Sequence, residues 1–373
     1  MIPKTSLALG IAGLTLAGCQ TVSGVSSDRT LAFIGTQEAG QGQGIVAVRL
    51  DRRTGALTSL GTAATVERPT WVLADPAHRR LFAVSEVGND GASQGAVLAF
   101  GYDPASGALT AEGRAASGGG GPTHLALGAA GRQVFVANYG SGQVAAIPVA
   151  ADGSLSPGWV AAHEGSGPHR RQKGPHAHGV TVDPTGRWVL SPDLGTDRVY
   201  IHAVAGGAAT SAMLPPGSGP RHIVFAPDGR HAFLMTEMAG TIFSFAWDAV
   251  HGRLTELSHL ALDGPDFAGA PSGSELAVSR DGRFLYAGNR AANRIQVYAI
   301  GAGGVLTMVQ GLDCGGEVPW GFALDGSGKW LVVANQGSGN LAVFAVDPKS
   351  GRLDLRPAHL DIAKPTSVAF VGP

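Results

Sequence analysis

Five short phrases of this 373-residue chain hold most of the side chains able to do chemistry: Pro-His-Ala-His at 175–178, Gly-Pro-Arg-His at 219–222, Thr-Glu at 236–237, Ser-Glu at 274–275 and Asn-Arg at 289–290. The guanidinium forks of Arg221 and Arg290 match the paired oxygens of a carboxylate or phosphate. Alternation along an extended strand puts His176 and His178 on one side, where an imidazole titrating near neutral pH can move a proton or donate a hydrogen bond. Glu237 supplies a carboxylate, and Glu275 a second one nearby. Two arginines against at most two carboxylates leave cationic capacity for an anionic ligand. A metal would need more: the chain shows no HxxxH helix and no cysteine set, so neither metal nor other cofactor is expected.

These residues span more than a hundred positions, and a repeat is what must bring them together. Copies of one phrase read PTWVLADPAHRRLFAVSE from Pro69, PTHLALGAAGRQVFVANY from Pro122, HAHGVTVDPTGRWVLSPDL from His176, PRHIVFAPDGRHAFLMTE from Pro220, SELAVSRDGRFLYAGNR from Ser274 and PWGFALDGSGKWLVVANQ from Pro319. Each is an apolar strand, a Gly- or Asp-bearing turn and a second apolar strand. A period of roughly 45 to 53 residues lies in the propeller range. Further apolar stretches with DPASG- and DPKSG-type turns complete about four antiparallel strands per unit. The seventh copy is split, with Pro365–Val371 as its first strand and Leu31–Gln37 as its second. The expected fold is therefore all-β, a seven-bladed propeller whose N- and C-terminal strands share one blade.

Aligned on their turns, the copies define two rings of equivalent positions. Thr70, Thr123, His178, Arg221, Ser274, Trp320 and Thr366 open the first strands; Thr36, Glu86, Tyr139, Leu194, Glu237, Arg290 and Gln336 follow the second. A short turn sets the start of one strand beside the end of the next, so both rings are expected on one face, around the central channel. His178, Arg221, Glu237 and Arg290 then converge from three consecutive blades. His222, Glu275, Tyr139 and Trp320, in or beside the rings, are the candidate substrate contacts. Unpaired charges at such a mouth are costly, so the group either binds a ligand or forms an inter-blade ion-pair network. The insertion HEGSGPHRRQK is expected as a mobile rim loop carrying His163, His169, Arg170, Arg171 and Lys173, whose cations either steer an anion inward or are solvated.

Composition agrees with many short strands. There are 57 Gly and 22 Pro, 44% hydrophobic and 15% charged residues, too apolar for disorder. No helix longer than a turn or two is expected beyond the leader. A net charge of -1 offers no basic field for nucleic acid. Residues 1–19 combine Lys4, an apolar run from Leu7 to Ala17 and Leu16-Ala17-Gly18-Cys19, a segment too short for a permanent membrane span. It resembles a lipoprotein-type signal peptide ending in a lipobox, which implies a lipid anchor at Cys19, a tether at 20–29 and the propeller at 30–373. The protein is then an exported cell-envelope lipoprotein on the periplasmic side, touching the membrane through that anchor alone; Gln20, in place of a retaining aspartate, points to the outer membrane. Cys314, the one other cysteine, is read as a solitary structural thiol.

The PHAHGVTVDPTGR, GPRHIVFAPDGRHAFLMTE and SELAVSRDGRFLYAGNR segments, with the seven-copy plan from about Leu31 onward, resemble the propeller-type lactonase family, which includes bacterial 6-phosphogluconolactonases and fungal 3-carboxy-cis,cis-muconate lactonizing enzymes. The resemblance implies a metal-free site formed by His176 or His178, Arg221, Glu237 and Arg290. There the arginines would hold the substrate's carboxylate or phosphate and polarise the lactone carbonyl, while Glu237 or the histidine moves a proton. The ligand implied is a small anionic lactone or carboxylate, although an exported protein meets little 6-phosphogluconolactone. A non-catalytic envelope propeller binding a ligand or partner protein through the same face is the competing reading.

Overall fold

The computed structural model describes Met1, Pro3 and residues 28–37, 44–264 and 266–372. Apart from Met1 and Pro3, the segment read as a signal peptide lies outside the described residues, as do Cys19 and all of the expected tether but Asp28 and Arg29. Seven four-stranded antiparallel sheets are arranged as blades. Their inner strands are Val72–Asp75 in blade 1, Pro122–Leu127 in blade 2, Thr181–Val182 in blade 3, Pro220–Phe225 in blade 4, Gly273–Val278 in blade 5, Pro319–Leu324 in blade 6 and Pro365–Phe370 in blade 7. The helical content of the described residues is two single 3-10 turns, Ala129–Gly131 and Ala302–Gly304.

Blades pack face to face, which explains why their second strands read as unbroken apolar runs rather than alternating ones. In His231–Thr236 of blade 4, Ala232 and Leu234 join Leu190, Val199 and Ile201 of blade 3, whereas Phe233 and Met235 face Leu276, Leu285 and Tyr298 of blade 5. Both faces of the strand are buried, with the period-2 alternation choosing the neighbour.

Blade 7 closes the ring as the split repeat requires. Pro365–Phe370 pairs antiparallel with Arg29–Thr36, setting Ala32 opposite Phe370 and Ile34 opposite Val368, and Gly44–Asp51 and Leu57–Thr65 complete the sheet. Ala369 and Val371 are buried against blade 1.

A backbone device recurs at one end of the channel. Where the inner strands of blades 2, 4, 6 and 7 start, the pairing slips by one residue, and the extra residue is Thr123, Arg221, Trp320 and Thr366 respectively. In blade 5 the slip falls across Ser274 and Glu275. Such a bulge turns a side chain out of the inter-blade face and toward the axis. The residue following each second strand is fixed as regularly: Glu86, Tyr139, Leu194, Glu237, Arg290 and Gln336 each donate their N–H to a carbonyl just ahead of the inner strand, as does Gln37 to Lys364. Gln37 is therefore the blade 7 member of the second ring. Thr36, assigned there from the sequence, lies one residue earlier, is buried, and donates its hydroxyl to Gly44 O at 2.9 Å.

Candidate active site

Glu237 stands at the centre of the bulge-bearing mouth. Its backbone is tied to Gly219 O at 2.7 Å, with Gly219 in the left-handed region at φ 61°. Three groups gather on Oε2: Arg290 Nη2 at 2.9 Å, Arg221 Nε at 3.3 Å and His178 Nε2 at 3.4 Å. Among the described residues Oε1 is met by Arg171 Nη1, at 2.7 Å. Arg221 is 1% exposed, His178 7% and Glu237 6%, whereas the Arg171 side chain is 41% exposed.

Backbone carbonyls and an indole aim the two buried arginines. Arg221 donates to Ser274 O at 2.6 Å, reaching across the blade 4–5 seam, and Arg290 donates to Gly273 O of its own blade at 3.1 Å. The Trp320 ring lies beneath them, 4.8 Å from the Arg290 guanidinium carbon and 5.9 Å from that of Arg221. Cation–π attraction holds both forks flat against the blade 6 side of the mouth.

The electrostatics follow from this crowding. Burial alone would raise the Glu237 carboxyl, but Arg290, then His178 and Arg221, outweigh it and hold it well below the usual carboxylate range. Desolvation, with Arg221 adding repulsion, brings His178 down to about 4, so its contact with Glu237 is that of a neutral imidazole rather than an ion pair. Burial and the neighbouring Arg290 bring Arg221 down to about 10, which leaves it charged at neutral pH. Three guanidiniums thus face one ionised carboxylate at the mouth. His178 Nδ1 is buried without a partner.

Behind the mouth the channel is plugged by a second polar layer. His222 Nδ1 lies 3.0 Å from Glu275 Oε1 and 3.2 Å from Arg221 Nη1, and its ring packs on His124 at 4.5 Å, which in turn packs on Trp71 at 4.0 Å. Burial, then Arg221, keeps His222 well below the ordinary imidazole range; burial, then His222, does the same to His124. Burial raises Glu275. His222 and Glu275 line the cavity of about 480 Å³ that continues down the axis between apolar inner strands, on the far side of the plug from Glu237.

A scan of family models matches residues 31–370 to "Lactonase, 7-bladed beta-propeller". This chain belongs to that lactonase family. Among its relatives is the 6-phosphogluconolactonase of Bacillus subtilis, 34% identical over 346 residues, covering 91% of this chain and 98% of that one. A 6-phosphogluconolactonase of Klebsiella pneumoniae is 32% identical over 263 residues, 69% of this chain and 76% of its own. Among solved structures, the periplasmic gluconolactonase of Pseudomonas aeruginosa superposes with a TM-score of 0.86 at 34% identity, covering 92% of this chain and 99% of that one.

On this lactonase scaffold the residues singled out from the sequence divide into three places. His178, Arg221, Glu237 and Arg290 meet at the mouth, with Trp320 packed on both arginines. Tyr139 and His176 stand beside them: the rings stack at 4.6 Å, and His176 Nδ1 donates to Tyr139 O at 2.8 Å, directing that nitrogen away from Glu237. His222 and Glu275 belong to the plug instead. The PHAH stretch is also less regular than expected, because Pro192 opposite it has no N–H; His178 N and Gly179 N both bond to Pro192 O, and the inner strand shrinks to Thr181–Val182.

The insertion departs from its expected form. His163 is buried rather than on the rim, stacked on Tyr200 at 3.7 Å, with Nδ1 2.7 Å from Asp193 Oδ2 and Nε2 3.2 Å from His202 Nε2. Asp193 Oδ1 accepts the N–H groups of His176, Gly195 and Thr196, so the same carboxylate locks the insertion to the PHAH stretch. His169, Arg170 and Lys173 are exposed. Arg171 alone turns inward, and no repeat position marked it, since the insertion has no counterpart in other blades. Cys314 is buried just past the outer strand of blade 5, and burial pushes its thiol up to about 12.

Proposed function

We propose that the protein is a lactone hydrolase acting on a small anionic sugar-acid lactone at the Glu237 cluster. The observation that carries this reading is the convergence of Arg171, Arg221 and Arg290 on one carboxylate, which leaves the mouth cationic and rich in fork-shaped donors. A purely structural ion-pair network would be expected to balance its charges. The 6-phosphogluconolactonase relatives support an anionic lactone, and the Pseudomonas gluconolactonase supports a sugar-acid lactone as such.

In this reading Arg221 and Arg290 polarise the lactone carbonyl and take the charge that develops on its oxygen. A water gives one proton to Glu237 Oε1 as its oxygen bonds to the acyl carbon. The ring C–O bond then breaks, that proton passes to the leaving alkoxide, and the open-chain hydroxy acid departs as its carboxylate. His178 holds Glu237 through Nε2.

Export to the envelope, with a lipid anchor at Cys19 and placement on the periplasmic side of the outer membrane, is part of the same proposal. It rests on the leader and on the periplasmic location named for the Pseudomonas relative. Cys19→Ala should move the protein from the membrane pellet to the soluble envelope fraction. For the reaction, Arg290→Ala should lower kcat/KM on the responsive lactone of a phosphorylated and unphosphorylated panel by about a hundredfold, the usual cost of losing one oxyanion donor. Unaltered turnover in that variant would remove the cluster from the reaction.

A further inference from the structure

Glu237 presents two unlike oxygens. Oε2 is enclosed by Arg290, Arg221 and His178, all more than nine-tenths buried at the side chain, with both arginines also held on backbone carbonyls. Among the described residues Arg171 is the partner found on Oε1. As long as that guanidinium stays, the oxygen assigned to take the proton has a charged donor on one of its lone pairs and is a weakened base.

Arg171 is built to leave. Its side chain is the exposed member of the group, and its second holding point is one neutral bond, Nη2 to Tyr139 Oη at 3.0 Å. The backbone beneath it is fixed: Gln172 is fully buried and donates to Leu194 O and Asp197 Oδ1, both at 2.8 Å. Motion therefore falls to the side chain alone, with exposed Arg170 and Lys173 on either side to draw an anion toward it.

We propose that Arg171 is an anion-operated latch: an oxyanion group on the lactone, remote from its ester, draws the guanidinium off Glu237 and so uncovers Oε1 for the reaction. This rests on the lactonase reading above and adds to it a residue, Arg171, through which an oxyanion away from the ring ester governs the reaction. Binding and activation are coupled in one residue, because a ligand without the oxyanion leaves the base weakened.

The test compares kcat/KM for 6-phosphogluconolactone, a carboxylated sugar lactone and neutral gluconolactone in the wild type, Arg171→Met and Tyr139→Phe. Arg171→Met should lower turnover of the responsive anionic lactone by about tenfold or more, the worth of a charged hydrogen bond, and raise that of the neutral one. Tyr139→Phe, which loosens the latch without removing it, should shift the same ratio in the same direction by a smaller factor. Which anionic arm responds distinguishes phosphate from carboxylate recognition. An equal fall for all substrates, or no change for any, overturns the latch. If the wild type turns over no lactone, the hydrolase reading fails separately, and calorimetry decides the latch: a preference for 6-phosphogluconate over gluconate that Arg171→Met abolishes supports it, and a preference that persists or never existed overturns it.

Discussion

Gly179 is where the geometry of the mouth is most open to a minimal perturbation. It lies outside the left-handed region, so alanine suits its backbone, yet a Cβ there would meet Arg221 O at 2.6 Å and His222 Cδ2 at 3.2 Å. An ordinary carbon–oxygen contact needs about 3.2 Å or more, so the two strands must part by about 0.6 Å, at an overpacking cost of about 1–3 kcal/mol. Whichever strand yields, His178 or Arg221 moves relative to Glu237 and lengthens contacts that now stand at 3.4 and 3.3 Å. Misplacement on the ångström scale costs on the order of a hundredfold in rate, so Gly179→Ala should lose about 10- to 100-fold in kcat/KM. Steady-state kinetics beside thermal melts on the same preparation provide the assay, with a fall of only a few degrees expected in Tm for a chain of this length. Gly174→Ala is the control, because a Cβ there meets nothing within 4 Å. Wild-type kinetics in Gly179→Ala, or the same loss in Gly174→Ala, would refute the claim that this close approach sets Arg221 against Glu237.

Three other consequences can be measured directly. Deleting residues 365–373 removes the inner strand of blade 7 with Val368, Ala369, Phe370 and Val371 from two core clusters, a loss on the order of 5 kcal/mol that should lower Tm sharply; an unchanged melt contradicts ring closure through this strand. His178 and His202 are both brought down to about 4, principally by burial, so the folded state excludes protons that the unfolded chain binds below about pH 6.5. Stability is then complete above that pH and falls between pH 6.5 and 4, and the urea midpoint should drop over this window by an amount that His202→Phe reduces; a flat midpoint would overturn the assignment of neutral buried imidazoles. Cys314, buried and pushed up to about 12, should resist thiol reagents in native protein at pH 8 and react fully in denaturant, and rapid native labelling would contradict its burial.

How far the chain could be read depended on whether a residue belonged to the repeat. The apolar–turn–apolar phrase recurs with a fixed strand count, so blade number, closure through Pro365–Val371 and the two channel-mouth rings followed from alignment alone. His178, Arg221, Glu237 and Arg290 stand out there because, apart from Glu86 in blade 1, the other blades carry uncharged residues at those positions. Single-residue offsets were harder: Thr36 was assigned where Gln37 stands, because the two strands of the split copy are not joined by a turn that would anchor their alignment. The placement of Arg171 and His163 was hidden for a different reason. Both lie in an insertion without counterparts, where charge and histidine content suggest a solvated rim, while the fold that buries His163 depends on Asp193, thirty residues away in sequence. His222 and Glu275 directly follow or share a bulge and were grouped with the mouth, but their side chains form the axial plug and line the cavity beyond it, a direction that residue type does not show.

The most direct test of the central claim is the kcat/KM of Glu237→Gln beside the wild type on the lactone panel, across pH 5 to 8. Glutamine keeps the size of the side chain and a carbonyl acceptor for Arg221 and Arg290, but it cannot hold a water's proton. The account predicts a loss of at least about a hundredfold on the preferred lactone, with the fold retained by circular dichroism. Near-normal hydrolysis by the variant would contradict it.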